Sequence, residues 1–186
     1  MRTAAIVAMM MVGGIAHAAV QRSHPYREHW KHSTYGKHAL LGVTAGAGVA
    51  HMQNQPHQWG RGAAGFGKRV SSGFATHAVK STVEHAVAAP LHEDLHYYRS
   101  NKRGFGPRLR HALVSTVITR NTRSGKRTAA AGRISGNAAA GAVSQAWLPA
   151  ASGASTAGVG LAADAGSNVA REFWPHHRHR RAKRRT

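Results

Sequence analysis

Small residues recur at intervals of four along three stretches of this 186-residue chain, and that spacing constrains the fold more than any other feature. Gly132, Gly136, Ala140 and Ser144 form one series, Gly158, Ala162, Gly166 and Ala170 a second, and Gly42, Gly46 and Ala50 a third. Residues four apart share one face of an α-helix, so each series predicts a smooth stripe that another backbone can approach closely. The apolar content is mostly Ala, with Leu, Ile and Phe scarce and 21 Gly. Burying Ala gains little beside burying Leu, so close backbone packing must supply more of the cohesion than usual. The expected fold is all-α: a bundle, or a set of hairpins, of Gly/Ala-rich helices.

Four segments are expected along the chain. Residues 1–18 read as a secretory signal peptide, with a positive Met1-Arg2-Thr3, an apolar run from Ala4 to Ile15 and Ala16-His17-Ala18 before cleavage at Ala19. Residues 19–35 read as an irregular His-rich arm, where His24, His29 and His32 either offer imidazoles to a transition metal or stand in solvent. Residues 36–175 read as the helical domain, and residues 176–186 as a basic tail that repels itself into disorder.

Within the domain, a helix is predicted over 37–52. A glycine-rich loop follows over 59–67, without the Gly-Lys-Ser/Thr ending of a phosphate loop. A second helix over 68–89 carries Val79, Val83 and Val87 on one face and meets Pro90. Pro107 suits a first helical turn, and Leu109, Leu113, Val114, Val117 and Ile118 then form the most apolar face beyond the signal peptide. After a turn over 121–126, two helices are predicted over 128–148 and 157–173. Their Arg133, Asn137, Asp164 and Asn168 argue against lipid on all sides.

Lys and Arg number 26 against six acids, for a net charge of +20. Such a balance draws a protein to polyanions. For an exported chain these are anionic lipid or envelope polymers rather than nucleic acid. There is no Cys, hence no disulfide framework and no lipid-attachment cysteine. In the tail, Arg178, Arg180, Arg181, Lys183, Arg184 and Arg185 follow Phe173-Trp174-Pro175, an arrangement suited to an anionic membrane interface.

The centre of the chain, Pro90 to Arg99, contains His92-Glu93-Asp94-Leu95-His96, which matches H-E-x-x-H. On a helix His92 and His96 would share a face and ligate zinc, Glu93 would act as general base, and Glu172 or, more weakly, Asp164 would have to supply a third ligand. Against this stand Pro90 immediately ahead of the motif, and Arg99 and Lys102 where the longer zinc-protease pattern has Gly and His. The competing reading is structural. Glu93 and Asp94 are acids in a very basic chain, and Arg99, Arg108, Arg110 and Arg120 stand within reach as ion-pair partners, Arg99 and Arg120 first among them.

This stretch resembles a family of uncharacterised exported bacterial proteins with H-E-D-P-x-Y-aromatic at mid-chain. Gly65-Phe66-Gly67-Lys68-Arg69 resembles that family's G-F-G-K-R, Val117-Ile118-Thr119-Arg120-Asn121 its V-x-T-R-N/T, and Gly136-Asn137-Ala138 its G-N-A. Trp147-Leu148-Pro149 stands where the family has an aromatic followed by Pro, and Arg171-Glu172-Phe173-Trp174-Pro175 resembles its closing K-E-F-W-P. Leu95 and His96 depart from the family's usual Pro and Arg, so the second histidine lies outside the shared pattern. The resemblance spans about residues 60–175 and implies export without implying an activity.

The function expected is therefore that of an exported, envelope-associated structural or interaction protein without a cofactor, in periplasm or outer membrane, with self-association through small-residue faces. A zinc-dependent hydrolase and a polyanion-binding basic protein are the two alternatives.

Overall fold

A chain with so few large apolar side chains makes its core from alanine, glycine and hydrogen-bonded polar groups. A computed structural model describes residues 24–148 and 153–174. The signal peptide expected at 1–18 and the basic tail expected at 176–186 lie outside these residues. The helices are α1 (His24–Tyr35), α2 (Lys37–Met52), α3 (Ala63–Leu91), α4 (Phe105–Val117), α5 (Ala131–Ser144) and α6 (Gly153–Phe173). A 3-10 turn, His57–Trp59, lies between α2 and α3. A hairpin of β1 (Ile118–Arg120) and β2 (Arg127–Ala129) joins α4 to α5. The fold is all-α apart from this hairpin. Among the described residues no helix is long and apolar enough to cross a membrane.

The longest helix, α3, is the axis. α5 lies along its C-terminal half, α1 and α2 pack elsewhere on it, and α6 covers α5 and α4. The close approach of α5 is made by two glycines. A Cβ on Gly132 would sit 2.6 Å from the Glu84 carbonyl oxygen, and one on Gly136 would sit 2.6 Å from that of Lys80. The first stripe thus does pack on a helix, and the helix is α3.

The second stripe behaves differently. Gly158, Ala162, Gly166 and Ala170 are exposed, and a Cβ on Gly158 or Gly166 would meet nothing within 4 Å. The inward face of α6 carries Gly160, Asp164, Asn168 and Glu172, two residues out of phase. At about 100° per residue a two-residue offset is roughly half a turn, so α6 points its small residues out and its polar ones in. Gly42 and Gly46 of the third stripe are likewise open, and Leu41 and Met52 on the same helix are 66% and 74% exposed.

Three other expectations are corrected. The arm over 19–35 is helical from His24, and α1 docks on α3 through hydroxyls: Thr34 Oγ1 lies 2.6 Å and Ser33 Oγ 3.1 Å from Ser81 Oγ, while Trp30 Nε1 donates to Thr82 at 3.2 Å. The helix expected over 128–148 begins only at Ala131, because residues 127–129 pair with 118–120. The apolar side of α4 is half outside: Leu113, Val117 and Ile118 are exposed, and Ala112 and Thr116 are buried where Asn168 Nδ2 donates to Thr116 Oγ1 at 3.2 Å.

Of the glycine-rich loop expected over 59–67, residues 63–67 are instead the start of α3, and the turn over 55–60 that precedes it is organised by a cation rather than an anion. Arg69 is buried, and its guanidinium donates to the carbonyls of Gln55 (2.7 Å), Gly60 (2.7 Å) and Pro56 (3.0 Å). Loop carbonyls, which hold positive charge, converge here instead of the backbone N–H groups that cradle phosphate.

Candidate functional site

The H-E-x-x-H segment does not form a helical face. α3 ends at Leu91, and His92 takes a left-handed conformation with φ 53°, capping the helix. Residues 93–102 then run as irregular chain across the ends of α4, α5 and α6. A zinc pair needs His92 and His96 one helical turn apart, and the break at His92 removes that geometry. Among the described residues no three His, Cys, Asp or Glu side chains converge as a metal set. Glu93 and Glu172, the proposed base and third ligand, are each held in separate structural contacts.

Glu93 is 2% exposed, and its two oxygens accept the backbone N–H groups of Ala131 (2.9 Å) and Gly132 (3.0 Å). These are the first helical residues of α5, whose N–H groups have no partner within the helix. A carboxylate there also meets the positive end of the helix dipole. Glu93 therefore seals α5 onto the end of α3.

Asp94 accepts from the His96 backbone N–H (2.9 Å), lies 3.1 Å from His96 Nδ1 and accepts from the Tyr98 hydroxyl (2.9 Å). Burial alone would raise its pKa, but these hydrogen bonds outweigh it and hold the carboxyl below its ordinary value. Arg120, expected as an ion-pair partner, contributes its backbone carbonyl instead, accepting the Asp94 N–H at 2.8 Å. The Thr119 hydroxyl donates to the Asp94 carbonyl.

Arg108, another of the expected partners, does hold a carboxylate, that of Glu172, fully buried near the end of α6. Arg108 Nε donates to it at 2.9 Å, the Tyr97 hydroxyl at 2.7 Å and the Ser100 N–H at 3.0 Å. Burial pushes its pKa up, and these donors together bring it below the ordinary value. Burial and the neighbouring Glu172 raise the Tyr97 hydroxyl well above its ordinary range, so it stays a donor. Arg99, the other expected ion-pair partner, donates to the Glu172 carbonyl at 2.5 Å and to that of Trp174 at 3.2 Å, where a helix C-terminus favours a cation. Arg108 also stacks over the Phe173 ring, 4.6 Å from its centroid.

A second polar cluster ties α3, α5 and α6 together. Lys80 Nζ lies 2.6 Å from Asp164, Arg133 Nε lies 3.5 Å from Glu84, and Asn137 Nδ2 donates to Asp164 at 2.9 Å. Periodicity gave no sign of this cluster, because polar residues on amphipathic helices are read as facing water. The segments that carry the family resemblance hold many of the buried polar hubs: Arg69, Glu93, Asn137 and Glu172 each fall in one.

All six acids of the chain are thereby engaged. Glu28 pairs with Lys31 at 3.1 Å, Glu84 and Asp164 meet Lys80 and Arg133, Glu93 caps α5, Asp94 holds Tyr98, and Glu172 holds Arg108 and Tyr97. Among the described residues most Lys and Arg have no carboxylate partner. Over residues 94–102, between α4 and the hairpin, lies a cleft of about 510 Å³. Lys102, Arg110, Arg120 and Arg127 line it, and Asp94 is its one acid.

No family model matches the chain, and comparisons with curated proteins and with solved structures find no match either.

Proposed function

We propose that this is an exported, envelope-associated interaction protein without catalytic activity, which holds anionic lipid or envelope polymers through a cationic exterior. Membership of the exported family it resembles, and placement in the periplasm or outer membrane, belong to the same proposal. One observation carries it: five of the six carboxylates are held within the fold and the sixth, exposed Glu28, is paired with Lys31, which leaves the surplus of Lys and Arg without a carboxylate to balance it. A surface of one sign attracts polyanions over distances of a Debye length, about 10 Å at 0.1 M salt. The basic segment after Trp174 adds to that charge by composition.

The test is co-sedimentation with vesicles of anionic and of zwitterionic lipid, at low and high salt, for the full chain and for a version ending at Pro175. Binding confined to anionic vesicles and lost at high salt is expected. Equal binding to both lipids, or binding indifferent to salt, overturns the reading. The shortened version measures how much of the attraction belongs to Arg178, Arg180, Arg181, Lys183, Arg184 and Arg185.

A further inference from the structure

We infer that the cleft between α4, the 94–102 segment and the hairpin is a binding site for a phosphate ester on a sugar-sized headgroup, with the phosphate bridging Arg120 and Arg127. The inference rests on the anion-binding reading above and narrows it to one place and one chemistry.

The hairpin supplies the main argument. β1 and β2 pair in a register that sets Arg120 directly opposite Arg127, and both are exposed. Residues directly opposite in an antiparallel pair share a face with Cβ atoms about 5 Å apart, and like charges there destabilise the pairing. This hairpin is only three pairs long, so the repulsion falls on a ladder with little to spare. A dianion between the two guanidiniums reverses its sign. Guanidinium forks also match phosphate oxygens two at a time, which an ammonium does not.

The rest of the cleft fits the same ligand. Arg110 and Lys102 add two cations from other walls. Among the described residues none of these four side chains has a carboxylate partner. Asp94 makes no ion pair with them, because its oxygens are engaged by His96 and the Tyr98 hydroxyl, and its single negative charge leaves the four cations in excess. That hydroxyl bond holds the Tyr98 ring, 59% exposed, as a fixed flat wall. A volume of about 510 Å³ lies in the range of small-ligand sites. A concave site of this size admits a projecting headgroup and excludes a flat bilayer surface.

The experiment is thermal melting of the full chain in chloride buffer and in glucose 1-phosphate at matched ionic strength. A ligand bound only by the folded state at about a hundred times its Kd raises Tm by roughly 5–11 °C in a chain of this size. The wild type is expected to show such a rise. Arg127→Gln is expected to melt higher than wild type in chloride, because the repulsion is gone, and to gain little from the sugar phosphate. Lys37→Gln with Arg61→Gln, two exposed cations away from the cleft, is expected to keep the full rise. An equal rise in every variant makes the effect a general one of ions and overturns the site, as does no rise in the wild type.

Vesicles containing phosphatidic acid separate the carriers. If Arg127→Gln weakens vesicle binding as well as the sugar-phosphate rise, the site takes lipid-borne headgroups. If it weakens only the latter, the site takes soluble esters. A wild type that binds anionic vesicles in a salt-dependent way yet shows no sugar-phosphate rise overturns the cleft and leaves the wider reading standing; one that does neither overturns both.

Discussion

Glu93 Oε2 lies 3.0 Å from the backbone nitrogen of Gly132, the same glycine whose missing side chain lets α5 rest on the carbonyl of Glu84. One pair of residues thus sets both the entry of α5 and its distance from α3. Glu93→Ala would leave the buried Gly132 N–H and the partly buried Ala131 N–H without their acceptor. Such a loss costs about 1–3 kcal/mol per group. His96 is exposed, so His96→Ala is expected to change stability by no more than about 0.5 kcal/mol. Urea denaturation of the two variants decides the matter; a His96→Ala as damaging as Glu93→Ala would return the histidine to the centre of the account.

The two glycine stripes predict opposite outcomes for the same kind of change. Gly136→Leu drives a side chain into the Lys80 carbonyl, and overpacking of this kind costs about 1–3 kcal/mol or more. Gly166→Ala meets open space, and replacing an exposed helical Gly by Ala stabilises by about 0.5–1 kcal/mol. Melting temperatures that move the same way for both would mean that the faces of α6 are wrongly assigned.

Glu172→Gln keeps the shape of the side chain and removes the charge that Arg108 meets. Breaking a buried ion pair costs about 3–5 kcal/mol, and the partial exposure of Arg108 places this one near the lower end. Adding Arg108→Gln should recover part of the loss, since no unpaired cation then remains. A double variant as unstable as the sum of the singles would show that the two do not act as a pair.

His85 is buried, and Nδ1–H donates to the Ser81 carbonyl at 2.7 Å. Burial, the largest influence, lowers its pKa, with Lys80 acting in the same direction and the Ser81 contact opposing. The unfolded chain therefore binds the proton more readily than the folded one. Stability from this residue is complete above its ordinary value of 6.5 and declines as pH falls below it. Denaturation midpoints of wild type and His85→Gln between pH 8 and pH 5 provide the check. The gap between them should shrink on acidification; a gap that widens would reverse the sign.

The hydrogen bonds on Glu172 and Asp94 lower both pKa values, so these two carboxylates contribute stability above their ordinary range, which fades as pH falls further. In Glu172→Gln the acid-induced loss below about pH 4.5 should be smaller than in wild type by circular dichroism.

How far the fold was legible varies residue by residue. Gly132 and Gly136 announced a close contact because only a local period was needed to align them. The turn over 121–126 was legible, where Asn121 Oδ1 accepts the N–H groups of Arg123 and Ser124 and Gly125 has φ 67°, but not that strands flank it. The start of α5 was missed because Arg127–Ala129 carries no strand signal of its own; pairing with Ile118–Arg120 made it a strand. Leu113 and Val117 belong to the most apolar face the sequence offers, yet Ala112 and Thr116 are the buried residues, where Asn168 bonds to them.

The sequence alone determined that this chain is helical, the bounds of α2, and that its charge is overwhelmingly positive. All of these follow from short-range propensity, capping and counting. Tertiary structure decided which face of each helix turned in. Gly158/Gly166 and Asp164/Asn168 lie on opposite sides of α6, and local pattern favours the small residues as the contact. Lys80, 84 residues away, chose the other side by meeting Asp164 at 2.6 Å. A polar interior of this kind cannot be read from periodicity, because a polar side chain enters a core only when its partner is already there.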